Sequence, residues 1–139
     1  MLLTTTATYL FVFAFLFVLL TYNVIKIRGA HAVAFGDGGN DELKRAIAAH
    51  SNFAQYVPMM VIILALCEAS GINPRLCFML GFLMLFGRVS HIYGILIYEM
   101  RPEEGKDPFR FRKVGMMATF AAITISSIFL LLHTYGAVA

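Results

Sequence analysis

The sequence predicts an all-α integral membrane protein, with four transmembrane helices folded as an antiparallel bundle. Composition is the first observation behind this reading. Of 139 residues, 60% are hydrophobic and 14% charged, where a soluble domain carries about 25% charged residues. Mean hydropathy is +0.78. The second observation is four long stretches with little or no charge, each close to or above the roughly 20 residues that cross a bilayer. The third is that short polar connections separate them, which makes sequential helices antiparallel neighbours. Together these exclude a disordered chain and, with only two cysteines, a disulfide scaffold. A soluble enzyme is excluded as well, because a chain this short has too little interior to hide so much apolar surface.

The first stretch, residues 2–25, holds 24 residues without a charge. No charged segment precedes it, and Thr21-Tyr22-Asn23-Val24 is not a small-residue cleavage site, so it reads as a retained helix rather than a signal peptide. The second stretch, 46–67, is divided. Its first half carries His50, Ser51, Asn52, Gln55 and Tyr56, and its second half is almost purely apolar. Pro58 inside it predicts a kink. The third begins at Leu76, meets Arg88 and His91, and continues to Tyr98. The fourth, 114–139, has 26 uncharged residues. A single domain over 1–139 is therefore expected, with helices at about 2–27, 41–69, 74–98 and 112–136.

The connections agree. Gly36-Asp37-Gly38-Gly39-Asn40 is a turn cluster, and Asp41 and Glu42 stand where carboxylates favour a helix start. It is no phosphate loop, since the Gly-Lys-Ser/Thr ending is absent. Ser70-Gly71-Ile72-Asn73-Pro74 stops one helix and starts the next. Residues 101–113, with two prolines, form the third connection. Cys67 and Cys77 flank the second turn. Free, buried thiols are expected there, because disulfide geometry between packed helices is demanding.

Charge sets orientation. The first connection carries Lys26, Arg28, Lys44 and Arg45, and the third carries Arg101, Lys106, Arg110, Arg112 and Lys113. The opposite side has Arg75 alone. Basic loops stay cytoplasmic, so both termini are expected outside the cytoplasm. The net charge of +3 reflects this asymmetry. It is not a nucleic-acid footprint, because no basic stripe with interleaved aromatics exists. No metal site is expected.

Polar groups inside a membrane are costly and face protein. With Asn52 set at zero, helical geometry puts Arg45 at about +20°, Ala48 at about −40°, Gln55 at about −60° and Tyr56 at about +40°. His50 falls on the opposite face and reads as a structural histidine. Arg88, His91, Ile95 and Tyr98 follow the spacing of one helical stripe. Arg112 and Lys113 stand at the entrance to the fourth helix. Taken singly, each has a structural reading: Asn52 and Gln55 as interhelical hydrogen-bond partners, Arg88 as a snorkelling chain, Arg112 and Lys113 as interface anchors. Taken together, they place polar groups at the same end of three helices, which predicts a cationic pocket for an anionic ligand in the cytoplasmic half of the bilayer.

The run from Glu42 through Pro58, ELKRAIAAHSNFAQYVP, resembles the helix-two signature of the MAPEG family (membrane-associated proteins in eicosanoid and glutathione metabolism). The preceding Ala34-Phe35-Gly36-Asp37-Gly38-Gly39 and the later Gly87-Arg88-Val89-Ser90-His91 resemble its small bacterial branch. The resemblance covers the whole chain. It implies a MAPEG-like homotrimer with glutathione, as co-substrate, bound between subunits. It further implies that Asn52 holds the glutathione backbone, that Gln55 stands where a family glutamate pairs with its amino group, that Tyr56 lies beside that position, and that His91 fills a helix-three His/Tyr position. By the same resemblance, Arg112 stabilises the thiolate catalytically, and Lys26 and Arg28 meet carboxylates of the tripeptide. Arg45 and Arg88 join the cofactor-binding set as cations on the same faces.

The implied function is glutathione-dependent transfer to, or peroxide reduction of, small lipophilic electrophiles that arrive through membrane lipid. Three positions depart from the family pattern: Ala48 where it has Arg, Gln55 where it has Glu, and Ile95 where it has Tyr. The alternative is therefore a non-catalytic or differently liganded trimer that binds lipid or a small anion. A small multidrug exporter, a third class with four short helices, is disfavoured, because proton coupling wants a carboxylate in the membrane interior and the first helix has none. The orientation has a direct check. A periplasm-sensitive reporter fused to the C-terminus should be active there, and a cytoplasmic-type signal would reverse the topology.

Overall fold

The computed structural model describes residues 2–101 and 103–136. Met1, Pro102 of the third connection and 137–139 at the end of the fourth uncharged stretch lie outside the described residues. Helix α1 spans Thr4–His31, α2 Asp41–Ala69, α3 Pro74–Leu96 and α4 Arg110–Thr134, with a 3-10 turn over Tyr98–Met100. All four are long and apolar enough to cross a membrane.

Helix boundaries follow local chemistry. Asn40 caps α2, its side-chain oxygen accepting from the Leu43 N–H at 2.8 Å, so α2 starts where the carboxylates predicted. It continues as helix through Pro58. Helix α1 runs one turn beyond its expected end at 27. Lys26 and Arg28 favour a helix C-terminus rather than break it, and the chain turns only at Ala32, whose φ of 53° is left-handed. Helix α3 ends at Leu96 and passes into the 3-10 turn, where it was expected to reach 98. Helix α4 begins at Arg110, two residues before its expected start.

Helix α1 has no side-chain cap of its own. Glu68, in the last turn of α2, supplies one. Its carboxylate accepts from the Thr5 and Thr6 backbone N–H groups and from the Thr6 hydroxyl, each at 2.8 Å. Orphan N–H groups at a membrane helix end need such partners. Along the same seam the Phe13 and Phe53 rings meet at 6.1 Å. His50 packs on Phe17 at 5.0 Å, and its Nε2 lies 3.0 Å from Thr21 Oγ1. The Thr21 hydroxyl already donates to Phe17 O, so the histidine ring donates here. His50 is thus an α1–α2 contact, as its angular position implied.

Helices α3 and α4 approach until their backbones touch. A Cβ on Gly115 would stand 2.6 Å from His91 N and 2.7 Å from Gly87 O. One on Gly94 would stand 2.7 Å from Arg112 N. Small residues permit such packing in membranes, where no hydrophobic force draws helices together. Phe11 and Phe15 on α1, Ile62 on α2, Phe82 on α3 and Ile128 on α4 point outward. They form the lipid-facing exterior of a bundle whose interior holds Phe53, Met60, Leu64 and Met84. Cys67 and Cys77 are buried free thiols. The α3–α4 connection is laced by Glu103 with Lys106 and Arg110, and by Asp107 with Lys113. The Lys106 hydrogen bond holds the Glu103 carboxyl below its usual range, and Lys113 does the same for Asp107.

The backbone contact makes a prediction. Gly115→Val should destabilise the detergent-solubilised protein by about 1–3 kcal/mol or more, the cost of overpacking against atoms that cannot move aside. Ala121→Val, on the exposed face of α4, should change it by less than about 0.5 kcal/mol. Thermal unfolding of the two variants checks the difference.

Candidate functional site

The Gly87–Gly115 contact sets the geometry of the site. It brings Thr119 on α4 beside Arg88 on α3. Thr119 is fully buried and Arg88 is 1% exposed. The Thr119 hydroxyl donates to Gly115 O at 2.8 Å, which turns its lone pairs toward the guanidinium. They accept from Arg88 Nε at 3.1 Å and from Nη2 in a shorter contact. Arg88 Nη2 also reaches Met116 Sδ at 3.6 Å. From α2, Asn52 Oδ1 accepts from Nη1 at 2.7 Å, and the Tyr56 ring lies 5.0 Å from the guanidinium carbon, within cation–π range. Arg88 does not snorkel. It is held inside by three helices.

No carboxylate among the described residues pairs with this cation. A guanidinium has five N–H groups. The contacts above occupy Nε, both hydrogens of Nη2 and one of Nη1. Among the described residues, one Nη1 hydrogen and the NH₂ of the neighbouring Asn52 amide have no partner. A buried positive charge with a spare donor attracts an anion.

His91, one turn along the stripe, is 3% exposed. Its Nδ1–H donates to the Arg112 backbone carbonyl at 3.2 Å. The neutral ring then presents Nε2 as an acceptor, and that atom is buried without a hydrogen-bond partner among the described residues. Ile95 and Tyr98 complete the buried stripe, so the helical spacing read from the sequence holds in three dimensions.

The remaining expected residues stand apart from this cluster. Arg112 sends its half-exposed side chain to Glu99, 3.7 Å away, and borders a pocket of about 280 Å³ with Phe109, Lys113 and Met116. Met116 is common to that pocket and to the Arg88 cluster. Gln55 is exposed and donates to Ser51 Oγ at 3.3 Å on its own helix. Arg45 lines a separate cavity of about 250 Å³ at the basic end with Asn23, Glu42, Leu96 and Met100. Lys26 is exposed. Arg28 folds back onto its own helix end, donating to Ala34 O at 3.2 Å. Within one subunit the structure therefore joins Asn52, Tyr56 and Arg88, adds His91 beside them, and leaves Lys26, Arg28, Arg45, Gln55 and the Arg112 side chain outside.

Sequence reasoning missed Thr119 and Met116. A threonine in an apolar helix carries no signal by itself. The spacing of Gly115 and Thr119, four apart on α4, was the available clue, since small residues mark the face where another helix comes close.

Comparison with known proteins gives a concordant result. The model described as MAPEG family matches residues 6–132. The chain is similar to inner membrane protein YecN of Escherichia coli strain K12, with 32% identity over 119 residues, 86% of this chain and 84% of the relative. The protein of the same name from Escherichia coli O6:H1 aligns over 119 residues at the same 32% identity.

The cluster predicts an unequal pair of variants. Thr119→Val leaves two guanidinium donors without their acceptor and should cost about 1–3 kcal/mol. Thr124→Val, on the exposed face of α4, should be near neutral. Thermal unfolding in detergent reads both, and equal effects would contradict the assigned role of Thr119.

Proposed function

This chain belongs to the MAPEG family as a multi-pass protein of the bacterial inner membrane, and from that premise we propose that it is a homotrimeric, glutathione-dependent transferase or peroxidase for small lipophilic electrophiles. The observation that carries the reading is the buried Arg88 guanidinium, which has no carboxylate partner and keeps a donor unspent beside Asn52. The exposed α2 face at Ala48 and Gln55 is where a neighbouring subunit would close over the ligand. Polar faces cannot be left to lipid, and a trimer covers them.

The chemistry needs no protein nucleophile. A thiol titrates near 8.5, and adjacent cations lower that value. The thiol proton passes to water. The thiolate sulfur then forms a bond to the electrophilic carbon, whose leaving group departs with the old bonding pair. In the peroxidase version two thiols and one hydroperoxide give a disulfide, an alcohol and water. Arg112 serves as the thiolate's cation, since a guanidinium stays charged at any working pH. Asn52, Tyr56 and Arg88 hold the peptide portion, with Gln55 at its edge and the His91 Nε2 as an acceptor. Lys26, Arg28 and Arg45 give the basic end its attraction for carboxylates. The lipophilic partner arrives from the bilayer, and holding it against the thiolate lowers the barrier.

One observation favours a second reading, a trimer that binds lipid or another small anion without catalysis. Between Arg45 and Glu68, α2 carries no charged side chain, so a zwitterionic tripeptide finds few ionic partners there. Glutathione titration of the detergent-solubilised trimer by calorimetry separates the two. The leading reading expects binding, thiolate absorbance near 240 nm, and a five- to hundredfold fall in conjugation rate in Arg112→Ala, the equivalent of about 1–3 kcal/mol. A trimer that gives neither heat nor thiolate signal leaves the second reading. A monomer by mass measurement removes both.

A further inference from the structure

We propose that the cavity of about 250 Å³ at the basic end of the bundle holds the headgroup of a zwitterionic, amine-bearing phospholipid, with its phosphate on Arg45 and its ammonium on Glu42. This site does not depend on the thiol-dependent reading above.

Three helices of one subunit build the cavity. Asn23 and Ile27 come from α1, Glu42 and Arg45 from the start of α2, and Ile97 and Met100 from the turn that follows α3. Asn52, Tyr56, Thr119 and Met116, which hold Arg88, do not line it. Its depth suits a headgroup. Helix α2 has 29 residues, about 43 Å at 1.5 Å per residue, against a hydrocarbon core of about 30 Å. Arg45 stands only about 6 Å from the start of that helix, so it lies at the level of the lipid headgroups.

Glu42 and Arg45 are three residues apart, neighbours on one helical face where opposite charges can pair. Among the described residues neither forms an ion pair or a side-chain hydrogen bond, and the Asn23 amide forms none either. Both charges instead open onto the same cavity. A lone anion there would satisfy Arg45 and be repelled by Glu42, and a lone cation would do the reverse. A phosphate and an ammonium on one short link satisfy both. The guanidinium donates to the phosphate oxygens, the Asn23 amide can add a donor, and the ammonium donates to the Glu42 carboxylate. The other walls are apolar, and Ile97 and Met100 are more than half exposed, which offers surface to the glycerol and acyl portions that a soluble aminoalkyl phosphate lacks. Basic loops at this membrane face attract anionic lipids in general. Glu42 is the group that turns the preference toward a lipid with an amine.

Native mass spectrometry of the full-length protein in detergent tests this, with phosphatidylethanolamine and phosphatidylglycerol of identical acyl chains as probes. Phosphatidylethanolamine should be retained at least about threefold more tightly. Arg45→Gln should weaken it by about tenfold, and Glu42→Gln should remove or reverse the preference, because phosphatidylglycerol is then no longer repelled. Lys44→Gln, an exposed neighbour that does not line the cavity, should leave the ratio unchanged. Unaltered thermal unfolding shows that the variants still fold. Equal or tighter retention of phosphatidylglycerol by the native protein overturns the proposal, as does a ratio that Glu42→Gln does not move. Soluble glycerophosphoethanolamine bound as tightly as the lipid would make the ligand a cytosolic one and overturn the lipid assignment. Displacement of the lipid by glutathione would assign the cavity to the thiol site and overturn it as well.

Discussion

A guanidinium inside a membrane protein must find its partners there, because neither water nor lipid will supply them. Arg88 is that constraint in this fold. It lies near the middle of α3, and three helices contribute to holding it: Asn52 and Tyr56 from α2, Thr119 and Met116 from α4. The contacts from α4 exist because Gly87 and Gly115 carry no side chain. An alanine at either position would clash with the facing helix at the place where Thr119 reaches the guanidinium. The tight α3–α4 seam and the polar cluster are therefore one feature, and the proposed anion would bind at the unspent donor of that cluster. A buried ion with a hydrogen-bonded carboxylate would be electrically complete. This one keeps one N–H and its charge without a partner among the described residues, and that separates it from a structural arginine paired to a carboxylate.

The rest of the bundle solves the same problem at lower cost. Helix α1 borrows Glu68 to cap its first turn, and Thr21 meets His50 near its other end. Tyr9 fits over Gly81 and donates to Phe78 O at 2.9 Å. These polar groups are paired between neighbouring helices, and the cavity of about 290 Å³ between α1 and α2 is lined by apolar side chains such as Phe13, Phe53 and Val57. Among the described residues the buried side-chain atoms without a hydrogen-bond partner lie on α3, the 3-10 turn and α4: His91 Nε2, Tyr98 Oη, Glu99 Oε1, Arg110 Nε and Ser126 Oγ.

Much of this was legible in the sequence. Charge-free runs located four helices, and the Asn40-Asp41-Glu42 start placed α2 to the residue. The 0, 3, 7, 10 spacing put Arg88, His91, Ile95 and Tyr98 on one stripe, all four of them buried. Other features lay outside the reach of pattern. Angular arithmetic gave Gln55 the same face as Asn52, yet a difference of about 60° is enough to carry one side chain into the bundle and leave the other outside it. Arg28 has the right charge for a ligand, but the Val33 and Ala34 carbonyls that follow its helix take its guanidinium. The capping role of Glu68 was not legible, because nothing in a linear sequence says that the start of α1 will lie beside the end of α2. Backbone carbonyls and N–H groups compete for long side chains, and that competition is settled only in three dimensions.

The central claim is that the Arg88 charge is held inside and turned toward a ligand. Its Nε–H can be observed directly by NMR on protein labelled with ¹⁵N-arginine in detergent micelles. The bond to Thr119 predicts one Nε–H resonance with slow solvent exchange, absent from Arg88→Lys, that shifts when a saturating anionic thiol is added. A fast-exchanging Arg88 resonance, or one that stays unmoved while calorimetry shows the thiol bound, would contradict the account.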